Sequence, residues 1–151
     1  MNIAIGCDEA AYDLKEILKR HLEASGALVD DYGVQAGQTA LYPDVAVTVA
    51  RKVAGGEYSR AILLCGTGIG VCISANKVPG VRAAQAHDTY SASRARKSND
   101  AQILCLGARV VGPELAKSIV DAWMNSEFEG GRSSEKVERI QALERELHAE
   151  I

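Results

Sequence analysis

The sequence predicts an α/β fold: an open sheet of five parallel strands with helices on both faces. Three observations carry this. Short apolar segments recur five times along the chain, and Ala61–Leu64 is continuous rather than alternating, as a strand buried on both faces is. Segments with helical spacing of their apolar residues lie between them. Parallel strands in such an alternation need crossovers, which those segments supply. The rhythm is Rossmann-like.

The elements follow in order. Asn2–Cys7 is the first apolar strand. A helix follows around Tyr12–Ser25, where Leu14, Ile17, Leu18 and Leu22 form a stripe and Gly26 suits the C-terminal cap. Ala27–Asp30 reads as the second strand. A polar loop with Gly33, Gly37 and Pro43 leads to a helix near Asp44–Ala54, ended by Gly55-Gly56. The third strand is Arg60–Leu64, followed by a glycine turn and a helix over Val71–Lys77. Val81–Ala86 reads as the fourth strand, Thr89–Lys97 as a helix, Gln102–Leu106 as the fifth strand and Gly112–Asn125 as a longer helix. The tail breaks the rhythm. Phe128–Arg132 is irregular, and Ser133–Ala149 is a highly charged helix with little apolar surface for the parent sheet. That helix is expected to reach a second subunit. Residues 1–151 are expected to form one domain, with 126–151 as its arm.

Composition narrows the function classes. A chain of 151 residues, 47% apolar and 25% charged, has the make-up of an ordinary globular protein with a proper core. A net charge of −3 argues against nucleic acid or an anionic membrane as partner. No apolar run approaches membrane-spanning length, and MNIAIGCDE lacks a basic signal-peptide start. Cys7, Cys65, Cys72 and Cys105 share no C-x-x-C spacing, so neither a disulfide framework nor a zinc site is expected. The three histidines, His21, His87 and His148, form no metal pattern. His21 and His148 are expected on solvated helix faces. A cytoplasmic location is expected.

The chemistry concentrates in Ala61–Lys77, AILLCGTGIGVCISANK. A strand stops at Cys65, glycines alternate at 66, 68 and 70, and a helix follows. Glycines there permit a tight turn and close approach of a ligand to bare backbone. The helix start turns unpaired N–H groups toward the same spot and favours a thiolate. The plain alternative is a tight crossover that binds nothing; Cys65 at the mouth of the turn weighs against it. Cys72 and Cys105 read as packing. A dinucleotide fingerprint is absent, because G-x-G-x-x-G would need glycine where Val71 stands, and the G-x-x-x-x-G-K-[ST] phosphate loop is absent too.

The block CGTGIGVCISANKVPGVRAA (Cys65–Ala84) is similar to the signature of the ribose-5-phosphate isomerase B family, which also includes the galactose-6-phosphate isomerase subunits. Further matches are GCD (Gly6–Asp8), YPD (Tyr42–Asp44), SND (Ser98–Asp100), GARVVG (Gly107–Gly112), ELAKSIVDAW (Glu114–Trp123) and EGGR (Glu129–Arg132). They span nearly the whole chain in order. The resemblance implies an aldose–ketose isomerase of a phosphorylated sugar, by default ribose 5-phosphate ⇌ ribulose 5-phosphate. It makes Cys65 the base that moves a proton through a cis-enediolate, and the amides of Gly66, Gly68, Ile69 and Gly70 an oxyanion hole. Thr67 would assist ring opening or orientation. Asp8, Tyr42 and Asn99 match sugar contacts, and Arg109 and Arg132 match phosphate ligands. It further implies a homodimer, or a tetramer built from it, with sites shared between subunits. No metal or organic cofactor is expected to be needed.

Four positions depart from the family pattern. Glu9 stands where a histidine follows GCD, Ser98 replaces the ring-opening histidine, Ser133 replaces a histidine after GGR, and Lys136 replaces an arginine. All four face substrate by the resemblance. A carboxylate at position 9 repels phosphate, and Lys136 gives up the bidentate fork. These changes place the particular sugar in question while leaving the isomerase chemistry intact. His87, like Thr67, could stand in for the missing acid, but a lone histidine near a helix start is more often structural. Two rivals stand beside the default: the same chemistry on a tetrose, another pentose or a hexose phosphate, and a non-catalytic subunit of a heteromeric isomerase. An oxidoreductase is a distant third.

Overall fold

The computed structural model describes residues 1–150. Strands β1 (Asn2–Cys7), β2 (Leu28–Asp31), β3 (Arg60–Cys65), β4 (Ala83–Gln85) and β5 (Ile103–Gly107) form one parallel sheet in the order β2-β1-β3-β5-β4. Helices α1 (Tyr12–Ala24), α2 (Tyr42–Ala54), α3 (Ile69–Ala75), α4 (Thr89–Lys97), α5 (Pro113–Met124) and α6 (Arg132–Ala149) complete the fold, with a 3₁₀ turn at Glu9–Ala11.

Alternation along the central strands sorts side chains into two cores. Ile3, Ile5, Ile62, Leu64, Leu104 and Leu106 face α1, α4 and α5. Ala4, Ala61, Leu63, Cys65, Ile103 and Cys105 face α2 and α3. Burial on both faces explains why these strands read as continuous apolar runs. Trp123 is fully buried on α5, and the Arg60 guanidinium lies 5.5 Å from its ring. Arg60 also donates to the carbonyls of Trp123, Met124 and Ser126 and to Glu127. It thereby anchors the start of the tail to the amino edge of the sheet.

Several boundaries differ from the sequence reading. β2 is one residue later than Ala27–Asp30, and α2 begins at Tyr42 rather than Asp44 because Pro43 sits in its first turn, where a missing N–H costs nothing. α3 spans Ile69–Ala75 instead of Val71–Lys77, since Gly68 at φ 76° turns the chain directly into the helix. β4 is only three residues long rather than Val81–Ala86: as an edge strand it pairs with β5 alone, and the Arg82 and Ala83 amides donate to the side chains of Gln102 and Asn76. His21 is half-buried, not solvated, with Nε2 2.7 Å from Asp121 Oδ1 on α5. α6 buries Val137 and accepts the Gly80 amide on Glu144, while Ile140, Leu143 and Leu147 stay exposed. Among the described residues, no helix is long and apolar enough to cross a membrane.

Candidate active site

β1 connects to one neighbour and β3 lies on its other side, so the carboxyl ends of β1 and β3 open a crevice at the point where the winding reverses. Ligands of open α/β sheets bind there. The crevice is a cleft of about 550 Å³ lined by Asp8, Glu9, Tyr42, Cys65, Gly66, Thr67, Ile69, Gly70 and Arg109 among others. That volume suits a small molecule. Nine of the site residues expected from sequence thus converge within one chain.

Cys65 ends β3 and is 4% exposed. The Gly68 amide donates to its sulfur at 3.2 Å, and the Ile69 amide donates to Thr67 Oγ1 at 3.2 Å. Both bonds resemble helix capping, in which a side chain takes up N–H groups the helix start leaves free. Two of the four amides expected to face an oxyanion are therefore turned onto the loop's own side chains. Gly68 and Gly107 let two backbones touch: a Cβ on Gly68 would meet Leu106 C at 2.8 Å, and one on Gly107 would meet Thr67 C at 2.6 Å. The Ala108 and Arg109 amides close this contact by donating to Cys65 O and Gly66 O, each at 2.9 Å.

Tyr42 forms the opposite wall. A Cβ on Gly70 would lie 2.3 Å from its ring. Gly70→Ala is expected to swing the exposed Tyr42 ring aside, and alanine's better helix propensity, about 1 kcal/mol, offsets most of the lost contact. Thermal melts check this: the variant should melt close to the wild type, and Gly70→Ala with Tyr42→Ala should melt no lower. A large loss of Tm in the single variant, recovered in the double, would show instead that Tyr42 is locked in place on Gly70.

Asp8 accepts the Ala10 amide at 3.1 Å and caps the 3₁₀ turn. Burial, with the Glu9 carboxylate beside it, pushes its pKa up from the ordinary carboxylate range. Glu9 is held below that range by its own amide and by the Ala40 amide, which donates to Oε2 at 3.2 Å. Glu9 is therefore a fixed negative charge on the rim of the cleft. Arg109 lies over the Gly66 backbone, its Nη1 3.4 Å from where a Gly66 Cβ would be.

Two residues brace the loop from behind: Gln85, which the sequence does not single out, and His87, whose structural reading the contact supports. Gln85 donates from Nε2 to Thr67 O at 2.8 Å, and the Gly107 amide donates to His87 Nε2 at 3.0 Å. His87 thus holds the backbone packed behind Thr67, and its Nε2 is occupied as an acceptor. The only signal for this pair is their spacing of two along the chain at the end of β4. Burial holds the His87 pKa below the ordinary histidine value. Its native pKa being depressed, the unfolded chain binds this proton more readily as pH falls below the ordinary value. The neutral ring's contribution to stability is then lost on acidification. His87→Gln keeps an acceptor without a titrating ring, so it should lose less Tm between pH 7.5 and pH 5 than the wild type. Equal losses would show that His87 does not carry the acid limb.

Of the other thiols, Cys105 is fully buried, as its packing role requires. Cys72, also read as packing, is half-buried behind the cleft; a hydrogen bond from the Cys105 thiol holds its pKa down to about 7, and when protonated it donates to Ala83 O at 3.4 Å. Among the described residues, no group of three or more His, Cys, Asp or Glu could hold a metal ion.

The remaining expected residues are not in this cleft. Ser98 and Asn99 follow α4, which runs back from the carboxyl end of β4 to the amino end of β5. They sit at the amino edge of the sheet, where Arg82 Nε donates to Asn99 O at 3.2 Å. The Glu129 amide donates to Lys97 O at 3.1 Å, which brings the tail to the same edge just before Arg132. Arg132 and Lys136 are exposed on α6. The expected site residues therefore fall into two groups on opposite ends of the sheet.

A thiol, backbone donors and a guanidinium around a sugar-sized cleft suit proton transfer on a small anionic carbonyl compound, the class of the sugar-phosphate isomerases. Comparison with known proteins gives the family. The model of the Ribose/Galactose Isomerase family matches residues 3–140. D-erythrulose-4-phosphate isomerase of Pectobacterium atrosepticum is 59% identical over 141 residues, 93% of each chain. Ribose-5-P isomerase B of Listeria innocua is 51% identical, over 95% of this chain and 97% of its own. The structure of Clostridium thermocellum ribose-5-phosphate isomerase B superposes with a TM-score of 0.94 at 45% identity, covering 97% of this chain and 99% of the other. The chain belongs to the ribose/galactose isomerase family and is a sugar-phosphate isomerase.

Proposed function

We propose that this chain interconverts a ketotetrose 4-phosphate and its aldose, with ribose 5-phosphate a slower substrate. One observation carries the reading: position 98, where the family pattern has its ring-opening histidine, holds a serine whose Oγ is engaged by Arg94 Nε at 2.8 Å. A furanose must open before its carbonyl neighbour can lose a proton. A tetrose 4-phosphate cannot close to a furanose, because its O4 carries the phosphate, so it needs no opening acid. The identity to a protein named for D-erythrulose 4-phosphate supports the same choice.

In this reading Cys65, as thiolate, takes a proton from C1 of the ketose. The electrons move onto the carbonyl oxygen O2 to give a cis-enediolate. The O1 hydroxyl proton passes to O2, and the thiol returns its proton to C2, which leaves the aldose carbonyl at C1 and regenerates the thiolate. The amides of Gly66 and Gly70 and the Arg109 guanidinium face the negative charge that develops. Gly68 fixes the sulfur, while Thr67, Asp8 and Tyr42 orient the hydroxyls. Glu9 excludes phosphate from its corner and so directs that end of the substrate toward the basic groups. The second group of residues, Ser98, Asn99, Arg132 and Lys136, comes from a partner copy, whose amino edge and tail complete the cleft. The exposed Ile69, Ile73 and Leu41 around the cleft suit such a partner.

The test is the ratio of kcat/KM for D-erythrulose 4-phosphate and ribose 5-phosphate on the wild-type protein. A tetrose preference of about tenfold or more is expected on the ground that binding and chemistry both favour it. Brisk turnover of ribose 5-phosphate with slow tetrose turnover would return the chain to the family default.

A further inference from the structure

Arg94 has no place in the mechanism above, yet it is tied to one of its residues. Positions 94 and 98 are four apart at the end of α4 and share a face. Arg94 Nε donates to Ser98 Oγ at 2.8 Å, and Nη1 lies 3.0 Å from Glu129 Oε1. Glu129 is itself fixed, its amide donating to Lys97 O. The guanidinium is thus held between the helix end and the tail. Its side chain remains 39% exposed.

We infer that Arg94 is a specificity-determining residue, which fills the space beside Ser98 and sets the substrate the shared site accepts. The inference rests on the reading that Ser98 faces the partner's cleft. Two physical consequences follow from the geometry. By donating to Ser98 Oγ, Arg94 uses that oxygen as an acceptor and leaves the hydroxyl proton for a substrate oxygen. A guanidinium carries five N–H donors and stays protonated throughout the working range, so it can bind an anionic or hydroxylated substrate but cannot act as an acid. The arrangement therefore supplies donors and positive charge where an acid would be needed to open a ring. It also occupies the room that a larger side chain at position 98 would take. An exposed Arg–Glu pair alone contributes little; the third contact, to Ser98, gives this one a functional consequence.

The test is a double-mutant cycle on the full-length protein with Arg94→Met, Ser98→His and both together, measured on D-erythrulose 4-phosphate and ribose 5-phosphate. Arg94→Met should raise KM for the tetrose phosphate about tenfold while kcat changes little, the pattern of lost uniform binding. Ser98→His alone should gain little with ribose 5-phosphate, because Arg94 obstructs the imidazole. In the Arg94→Met background the same change should gain about tenfold or more, a coupling expected only of groups in contact. Glu129→Gln, which loosens the clasp without removing the guanidinium, should shift the tetrose KM in the same direction by less. An unchanged tetrose KM in Arg94→Met, or the same gain from Ser98→His in both backgrounds, would reduce Arg94 to a surface ion pair and overturn the inference. A wild type that prefers ribose 5-phosphate would overturn the proposed substrate alone, since the coupling is read from the ratio of gains.

Discussion

Cys65→Ala is expected to remove isomerase turnover, by about 10²–10⁴-fold or more, the cost of losing a general base. The change should leave the fold standing. The sulfur is at the end of β3, accepts only the Gly68 amide, and alanine fits the same buried position. Cys65→Ser is the sharper control, because it keeps an acceptor for Gly68 while replacing the thiol with a far weaker acid. Both variants should melt close to the wild type and both should be inactive on the best substrate. Near wild-type activity in either would reduce Cys65 to packing.

The second large effect is recovery rather than loss. If each cleft joins Cys65 of one chain to Arg132 of another, Cys65→Ala and Arg132→Ala chains should each be nearly inactive alone. Mixed and allowed to re-pair, half the dimers would be hybrids with one intact cleft, giving about a quarter of wild-type activity in an isologous pair. Sites built within one chain would recover nothing on mixing, even with hybrids seen by native mass spectrometry. Point substitution is cleaner here than removing the tail after Asn125. That cut would also take Ser126 O and Glu127 from Arg60, a buried guanidinium left short of partners.

Parts of this arrangement were legible from residue patterns because they are local. Thr89–Lys97 forms as expected, with Asp88 Oδ1 accepting the Ser91 amide as its cap. The strand ending at Cys65 and the glycine turn were plain from an apolar run meeting alternating glycines. The start of α3 was misplaced because a left-handed glycine can open a helix without a recognisable side-chain cap. Gln85 was missed, since a polar residue at the end of a short strand carries no sign of which carbonyl it will reach. His87 has the structural role that a lone histidine near a helix start favours over that of an acid, but its partner, the Gly107 amide twenty residues away, is set by the fold.

The sequence by itself determined the βα rhythm, the two-sided burial of the central strands and the chemistry clustered at Cys65, each a consequence of neighbours along the chain. Only the tertiary structure decided that β5 enters between β3 and β4, and that the expected site residues divide between opposite ends of the sheet. It also joined Arg94 to Ser98 and Glu129. Those outcomes depend on which distant segments meet, and that is settled by packing the whole chain rather than by any stretch of it.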